Sequence, residues 1–200
     1  LHPVSEAIQS LGMVINTNHL IEREDATLIL EAKGKEQTRL MAYKPGQEAR
    51  VIDSIPTHGA GGYPAFSIYN QRLYWSNPNL IRIYDEDFNL IDTIKPGFIK
   101  HPGAPSKSRL KVQPFDENHI ILFSDTAPPQ LYNLQDRTSS LLNLPDIHYK
   151  FTIKDRNGSI WFLGKSEFIR LSEDCTVTRF LTSLEKTADF SLFSGVIQDN

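Results

Sequence analysis

The sequence predicts an all-β fold made of repeated four-stranded units, and three observations support this prediction. The first is the alternation of apolar and polar residues in Phe151–Lys154, which is typical of a half-buried strand. The second is the tight-turn sequence Arg156-Asn157-Gly158, which is followed by the apolar stretch 159–163 as the partner strand. The third is the recurrence of this hairpin, in weaker form, along the chain with no helical periodicity between the copies.

The clearest repeat covers about residues 147–183, and each of its strands can be read from the pattern. After the hairpin, Phe168–Leu171 is predicted as a third strand and Val177–Leu181 as a fourth. Weaker copies are predicted over about 63–97 (Ala65–Ile68, Leu73–Trp75, Leu80–Tyr84, Leu90–Ile94), 108–146 (Leu110–Val112, Ile120–Phe123, Leu131–Leu134, Leu141–Leu144) and 26–57 (Thr27–Leu30, Arg39–Tyr43, Arg50–Ile55).

Equivalent positions of the repeats carry similar residues. Trp75 is predicted to occupy the position of Trp161, and Arg82 that of Arg170, while Leu122 or Phe123 fills the tryptophan position of the third copy. Both tryptophans are expected to pack between repeats, because the second strand of each repeat has both faces covered. The third strands, near Ala42, Ile83, Asn133 and Arg170, lie 41, 50 and 37 residues apart.

Four-stranded units at this spacing are the signature of a β-propeller, whose blades bury their faces against neighbouring blades. A β-sandwich with accidentally similar hairpins is the alternative. The prediction is one domain over residues 1–200 with about four to five blades, as part of a larger propeller.

The two ends of the chain predict a further, partial blade. Residues Phe193–Asn200 match Tyr149–Arg156 in register, so residues 190–200 are expected to begin another repeat. Either the sequence is a piece of a longer propeller, or residues 11–25 supply the second and third strands that close a five-bladed ring. The first explanation is favoured because such repeats usually occur in longer arrays.

The segment 151–171 resembles one known repeat. Asp155, Gly158 and Trp161, followed by the apolar-Arg-apolar strand around Arg170, resemble the two-component regulator propeller repeat. Only this copy matches well. The resemblance implies a periplasmic or extracellular sensor domain of a bacterial inner-membrane receptor, with any kinase or cyclase activity in domains outside this sequence. It also implies a small-molecule or glycan ligand and a homodimer formed through the full-length receptor.

Composition excludes some other functions. With 21 basic and 24 acidic residues, the net charge is −3 and no basic block favours a nucleic-acid surface. Cys175 is the only cysteine, which excludes an internal disulfide and a cysteine-based metal site. No apolar run reaches the roughly 20 residues of a membrane span, so any membrane contact is expected through segments outside this sequence.

The loops between repeats are the predicted ligand-binding region, because loops on a rigid scaffold often carry function. Histidines follow the fourth strand of three successive repeats. The candidate ligand-binding residues are His58, Tyr63, Lys100, His101, His148 and Tyr149. Equivalent imidazoles could share one metal ion, but acidic support is thin, and turn-rich loops also tolerate histidine without a function. No metal or cofactor is therefore predicted.

Signatures of common catalytic sites are absent from the sequence. Asp155 is expected to accept backbone hydrogen bonds across its hairpin turn, and Arg82 and Arg170 to bind carboxylates or carbonyls between blades. A binding module is thus the leading hypothesis. The residues Tyr63–Ile83 also look like a blade of the virginiamycin B lyase and gluconolactonase-like propellers, which makes a metal-dependent enzyme one alternative. A protein-protein scaffold with Tyr63 and Tyr149 as interface anchors is the other.

Overall fold

The computed structural model describes residues 14–56, 65–76, 80–95, 110–124, 127–144, 151–163 and 167–181. These residues form sixteen strands in four antiparallel four-stranded sheets, with no helix among them. The chain divides into two compact units, Leu1–Gly61 and Gly62–Asn200. No helix long and apolar enough to cross a membrane occurs within the described residues.

The first unit contains sheet 1. Its strands are β1 (Val14–Glu22), β2 (Leu28–Lys33), β3 (Gln37–Tyr43) and β4 (Arg50–Pro56), in that order across the sheet. Leu30, Ala32, Met41 and Tyr43 form one buried apolar cluster. Ile29 and Leu40 are also fully buried and alternate with these residues, so both faces of sheet 1 carry core side chains.

Strand β1 corrects the prediction for residues 11–25. The sequence suggested two strands of a ring-closing blade, but Val14–Glu22 is a single strand that pairs with β2 as the first strand of sheet 1. The ladder joins Ile15 to Ala32 and Leu20 to Leu30, with a register shift between the two pairs. The polar residues Asn16-Thr17-Asn18 therefore belong to an irregularity within one strand rather than to a turn.

The second unit contains three sheets. Sheet 2 comprises β5 (Ala65–Tyr69), β6 (Arg72–Ser76), β7 (Ile81–Tyr84) and β8 (Leu90–Ile94); sheet 3 comprises β9 (Lys111–Pro114), β10 (His119–Ser124), β11 (Ala127–Asn133) and β12 (Ser139–Leu141); sheet 4 comprises β13 (Phe151–Lys154), β14 (Ile160–Leu163), β15 (Glu167–Leu171) and β16 (Val177–Leu181). Each sheet is a meander, and its first strand lies at one edge.

The predicted third strands are correct. Ala42, Ile83, Asn133 and Arg170 lie in β3, β7, β11 and β15, the third strand of each sheet. The fourth strand of sheet 3 is Ser139–Leu141, earlier than the predicted Leu141–Leu144. The single domain over residues 1–200 stays a prediction. So does the partial repeat at residues 190–200, which lies outside the described residues.

Sheet 3 packs between sheets 2 and 4. Its second strand runs Ile120-Ile121-Leu122-Phe123, and all four side chains are buried. Ile120 and Leu122 join a cluster with Tyr74 of sheet 2, whereas Ile121 and Phe123 join a cluster with Phe162 of sheet 4. Because successive side chains of a strand point to opposite faces, this continuous apolar run supplies both interfaces.

This packing shows that the equivalence of Trp75 with Trp161 is wrong. Tyr74 faces sheet 3, so its neighbour Trp75 lies on the face of sheet 2 turned away from sheet 3. Phe162 also faces sheet 3, so Trp161 is turned away from it as well. Sheet 3 follows sheet 2 in the stack but precedes sheet 4. Trp75 therefore faces away from the next sheet, whereas Trp161 faces away from the preceding sheet.

The hairpin ladders identify the true equivalents of Trp161. In the first hairpin of each sheet, the second strand starts from a residue whose backbone pairs across the turn: Ser159 in sheet 4, Arg72 in sheet 2 and His119 in sheet 3. Two residues further along the strand lie Trp161, Tyr74 and Ile121, respectively. The position is therefore filled by Tyr74 in sheet 2, and by Ile121 rather than Leu122 or Phe123 in sheet 3. Arg82 pairs with Trp75 and Arg170 with Trp161, so the two arginines are not equivalent either.

One turn conformation recurs between strands. In the turns Arg23–Thr27, Asp85–Asn89, Asp155–Ser159 and Ser172–Thr176, the first residue donates its N–H to the carbonyl of the fifth and accepts the N–H of the fourth. The fourth residue has a positive φ in every case, and it is Ala26, Phe88, Gly158 and Cys175 respectively. Only one of these residues is glycine, so most copies of the turn carry no glycine signal in the sequence.

Replacing Gly158 with alanine is expected to lower the free energy of unfolding by about 1–2 kcal/mol, because its φ is +78° and an added Cβ would displace the side chain of Glu173. Gly46 provides a matched control, since its φ is +82° but no atom lies within 4 Å of an added Cβ. Urea denaturation of both alanine variants measures the difference. A larger loss for Gly46→Ala than for Gly158→Ala would contradict the expected clash of an added Cβ with Glu173.

Candidate functional site

The first strands of sheets 2, 3 and 4 form a continuous edge of the second unit, here called the first-strand edge (β5, β9 and β13). Side chains link each strand to the next. The Ser67 hydroxyl on β5 donates to the Val112 carbonyl of β9 at 3.3 Å. The Thr152 hydroxyl on β13 donates to the Gln113 amide oxygen of β9 at 3.0 Å. Stacking of the sheets thus aligns polar side chains that are far apart in sequence.

Lys154 is the best-defined cationic group on this edge. It ends β13, and its ammonium lies 3.7 Å from the centre of the Tyr69 ring at the end of β5. The same ammonium donates to the Phe115 carbonyl just after β9. Lys154 therefore connects sheet 4 with the last residue of β5 and with the turn after β9. An ammonium has three donors, so this arrangement can offer one to a ligand while the other contacts fix its position.

The charge of the first-strand edge is one-sided. Lys111 and Lys154 lie on its strands, and no acidic residue occurs within β5, β9 or β13. Acidic groups begin at the adjoining turns, where the Asn70 amide donates to the Glu117 carboxylate at 3.2 Å. Hydroxyl, amide and ammonium groups in one row are suited to a polar ligand that carries hydroxyls or a carboxylate.

Asp155 has the structural role that the sequence predicted. One of its oxygens, Oδ1, accepts the backbone N–H groups of Asn157 and Ser159, at 2.9 and 3.0 Å. The other, Oδ2, accepts the indole N–H of Trp161 at 2.8 Å. The carboxylate therefore fixes both the hairpin turn and the orientation of the tryptophan on the next strand.

These contacts set the acidity of Asp155. Partial burial, the largest contribution, raises its pKa, but hydrogen bonds from Trp161, Ser159 and Asn157 together with the charge of Arg170 lower the pKa below its ordinary value. The carboxylate is thus stabilised in its ionised form. The groups that donate to this carboxylate all belong to the same sheet and its hairpin turn, which favours a role in folding over one in chemistry.

Arg170 makes contacts within its own sheet rather than between blades. Its Nε and Nη2 both donate to the Ser159 hydroxyl, at 3.1 and 2.9 Å, and its guanidinium lies 6.0 Å from the centre of the Trp161 ring. Arg82 similarly lies 5.9 Å from the ring centre of Trp75. The described contacts of Arg170 therefore correct the expectation of an inter-blade partner. Together with Asp155, Arg170 contacts Trp161 from within sheet 4.

All six residues of the predicted ligand-binding set lie outside the described residues: His58, Tyr63, Lys100, His101, His148 and Tyr149. Their convergence stays a prediction. Among the residues that the structure does describe, no group of three or more histidine, cysteine or acidic side chains is placed to hold a metal ion.

The polar row of the first-strand edge was not predicted from the sequence. Ser67 and Gln113 occupy equivalent positions, since each pairs with the residue that fills the Trp161 position, Tyr74 or Ile121. A polar residue at this position of two repeats was the available signal. It was hidden by the wrong alignment of the tryptophans.

Solved structures similar to this chain are propellers and related proteins of low sequence identity. A streptogramin B lyase has 10% identity and a TM-score of 0.61, with 84% of this chain and 55% of that chain covered. The catalytically inactive virginiamycin B lyase from Staphylococcus aureus with quinupristin has 11% identity and a TM-score of 0.63, with coverage of 86% and 60%. The extracellular domain of a protein described as a hybrid two-component system from B. thetaiotaomicron has 12% identity and a TM-score of 0.56, with coverage of 84% and 24%.

No family model matches the chain, and no curated protein matches it either. The chain spans 55% and 60% of the length of the two lyase structures. At these identities the similarity concerns the fold alone. Together with the four sheets, it confirms the predicted fold class, which is an all-β fold of the β-propeller type with four-stranded antiparallel blades.

Proposed function

We propose that this chain is an extracytoplasmic ligand-binding module of a two-component-type receptor, and that it binds its ligand without transforming it. The observation that carries the proposal is the first-strand edge, where Ser67, Gln113, Thr152 and Lys154 align on strands that contain no acid. Such a row can recognise hydroxyl and carboxylate groups of a small molecule or glycan. The sensor resemblance of residues 151–171 favours the same function.

The similar structures are consistent with this proposal, but they share only the fold. They include the extracellular domain of a protein described as a hybrid two-component system, which supports the proposed extracytoplasmic location. A homodimeric full-length receptor is part of the proposal only through the sensor resemblance of residues 151–171. They also include lyases at 10–11% identity, whose chemistry is not carried over to this chain.

A binding assay with acidic and neutral sugars tests the proposed function. Isothermal titration with oligogalacturonides is expected to show binding that is weakened about tenfold or more by Lys154→Met, because an ammonium–carboxylate contact is lost. Cello-oligosaccharides of equal length provide the neutral comparison and are expected to bind more weakly.

The control variant is Lys95→Met, which removes an exposed lysine directly after β8. It is expected to leave binding unchanged. Melting temperatures of both variants show whether either substitution disturbs folding. Equal affinity of the Lys154→Met and unmodified proteins for every sugar that binds would contradict the first-strand edge as the ligand site.

A further inference from the structure

Strands β9 and β13 run in the same direction along the first-strand edge. The Thr152 hydroxyl of β13 donates to the Gln113 side chain of β9, and two residues later the Lys154 ammonium donates to the carbonyl of Phe115. Both partners advance by two residues, so the strands are in register where sheets 3 and 4 meet. Lys154 therefore lies level with Phe115, and Lys111 lies four residues before that level.

Four polar residues face each other across this boundary between β9 and β13: Lys111, Gln113, Thr152 and Lys154. Each pairs within its own sheet with a residue of the apolar cluster that joins sheets 3 and 4. These partners are, in the same order, Phe123, Ile121, Phe162 and Ile160. Because cross-strand partners share a face, the four polar side chains lie on the facing sides of the two strands. All four are half-buried, so a ligand at the edge can reach them.

Each of the two lysines lies beside an aromatic ring. The Lys154 ammonium is 3.7 Å from the centre of the Tyr69 ring, and the Lys111 ammonium is 5.6 Å from the centre of the Phe123 ring. Such a contact restrains an ammonium but leaves it donors for other groups. At a rise of about 3.3 Å per residue, the two lysines lie about 13 Å apart along the strands. The boundary thus carries a positive charge at each end and hydrogen-bonding groups in between.

The first acidic residues after these strands have other described partners. Asp116 accepts the backbone N–H of His119 and contacts the His119 ring at 2.9 Å. Asp155 accepts two backbone N–H groups of its turn and the indole N–H of Trp161. Both carboxylates are therefore engaged in turns, although each directly follows the strand end at which Lys154 lies. A carboxylate of a ligand is suited to bind the Lys154 ammonium instead.

We infer that the ligand of the first-strand edge carries two carboxylates, one bound by Lys154 and the other by Lys111, with its hydroxyls on Gln113 and Thr152 between them. This inference rests on the proposed function and narrows the ligand to an oligosaccharide with more than one acidic unit. A monosaccharide acid has one carboxylate and reaches one lysine. An oligomer of uronic acids repeats the carboxylate along its length and reaches both.

Isothermal titration with galacturonate oligomers of one to five units tests this inference. Lys111→Met and Lys154→Met are each expected to weaken binding of the pentamer about tenfold, because each removes one ammonium–carboxylate contact. For the monomer, Lys111→Met is expected to cost no more than about twofold, since Lys154 remains. Lys111→Arg keeps the charge and is expected to retain most of the affinity for the pentamer.

The outcomes distinguish this inference from the proposed function. If Lys154→Met weakens binding of the pentamer but Lys111→Met does not, the site binds a single carboxylate, and the inference fails while the proposed function stands. If Lys154→Met changes nothing, or if no acidic oligomer binds, both fail. Equal losses in Lys111→Met and Lys111→Arg would also overturn the inference, because the effect would not depend on charge. Melting temperatures of the variants verify that each remains folded.

Discussion

Replacing Phe162 with alanine is expected to lower the free energy of unfolding by about 3–5 kcal/mol. Phe162 is fully buried between sheets 3 and 4, and its ring meets Phe123 edge to face with the centres 6.1 Å apart. Removal of the ring leaves a cavity in the cluster that also contains Ile121 and Ile169. Denaturation by guanidinium chloride, followed by circular dichroism, measures the loss.

The matched control for this prediction is Phe180→Ala in the same sheet. Phe180 is 43% exposed, and its described ring contact is with Trp161, so its removal is expected to cost less than about 1.5 kcal/mol. Equal losses for the two variants would show that the interface between sheets 3 and 4 does not stabilise the fold as described.

Replacing Asp155 with alanine is expected to lower the free energy of unfolding by about 1–3 kcal/mol, because the indole of Trp161 and two backbone N–H groups lose an ionised acceptor. The matched control is Asp85→Ala, since Asp85 accepts the N–H groups of Asp87 and Asn89 in the same kind of turn, while its other oxygen accepts the side-chain amide of Asn89 in place of an indole. A smaller loss is expected there. An equal loss in both variants would mean that the contact with Trp161 contributes no more than the contact of Asp85 with the Asn89 amide.

The same carboxylate predicts a dependence on pH. Because the pKa of Asp155 is lowered in the folded protein, its contribution to stability is complete above the pKa of the unfolded chain and is lost as the pH falls through the folded value. The fluorescence emission of Trp161 should therefore change below pH about 4. It is measured in a variant that carries Trp75→Phe, so that Trp75 does not contribute to the signal. The Asp155→Ala variant should lack this change.

The strands were predictable from the sequence because each hairpin leaves a local pattern. Which neighbouring sheet each strand face packs against was not predictable. Trp75 and Trp161 both pair with an arginine on the following strand, which made them look equivalent. The first hairpin of sheet 2 closes with two residues, Asn70 and Gln71, while that of sheet 4 closes with three, 156–158. A difference of one residue in turn length moves the alignment to the opposite face.

The candidate site was harder to predict than the fold. Gly- and Pro-rich loops attract attention in a sequence, whereas Ser67 and Thr152 look like ordinary polar positions of alternating strands. Their importance depends on the stacking of three sheets, which brings together residues 45 and 39 positions apart. Local sequence patterns do not encode this alignment.

The stacking of sheets 2, 3 and 4 in chain order has a consequence for synthesis of the protein. The cluster between sheets 2 and 3 involves residues no later than Leu134, so it can close on the ribosome before sheet 4 has left the exit tunnel. The second face of sheet 3, with Ile121 and Phe123, then stays open until Phe162 and Ile169 emerge. During vectorial folding, each newly completed sheet thus buries one face against the sheet before it, and it exposes an apolar face until the next sheet is synthesised.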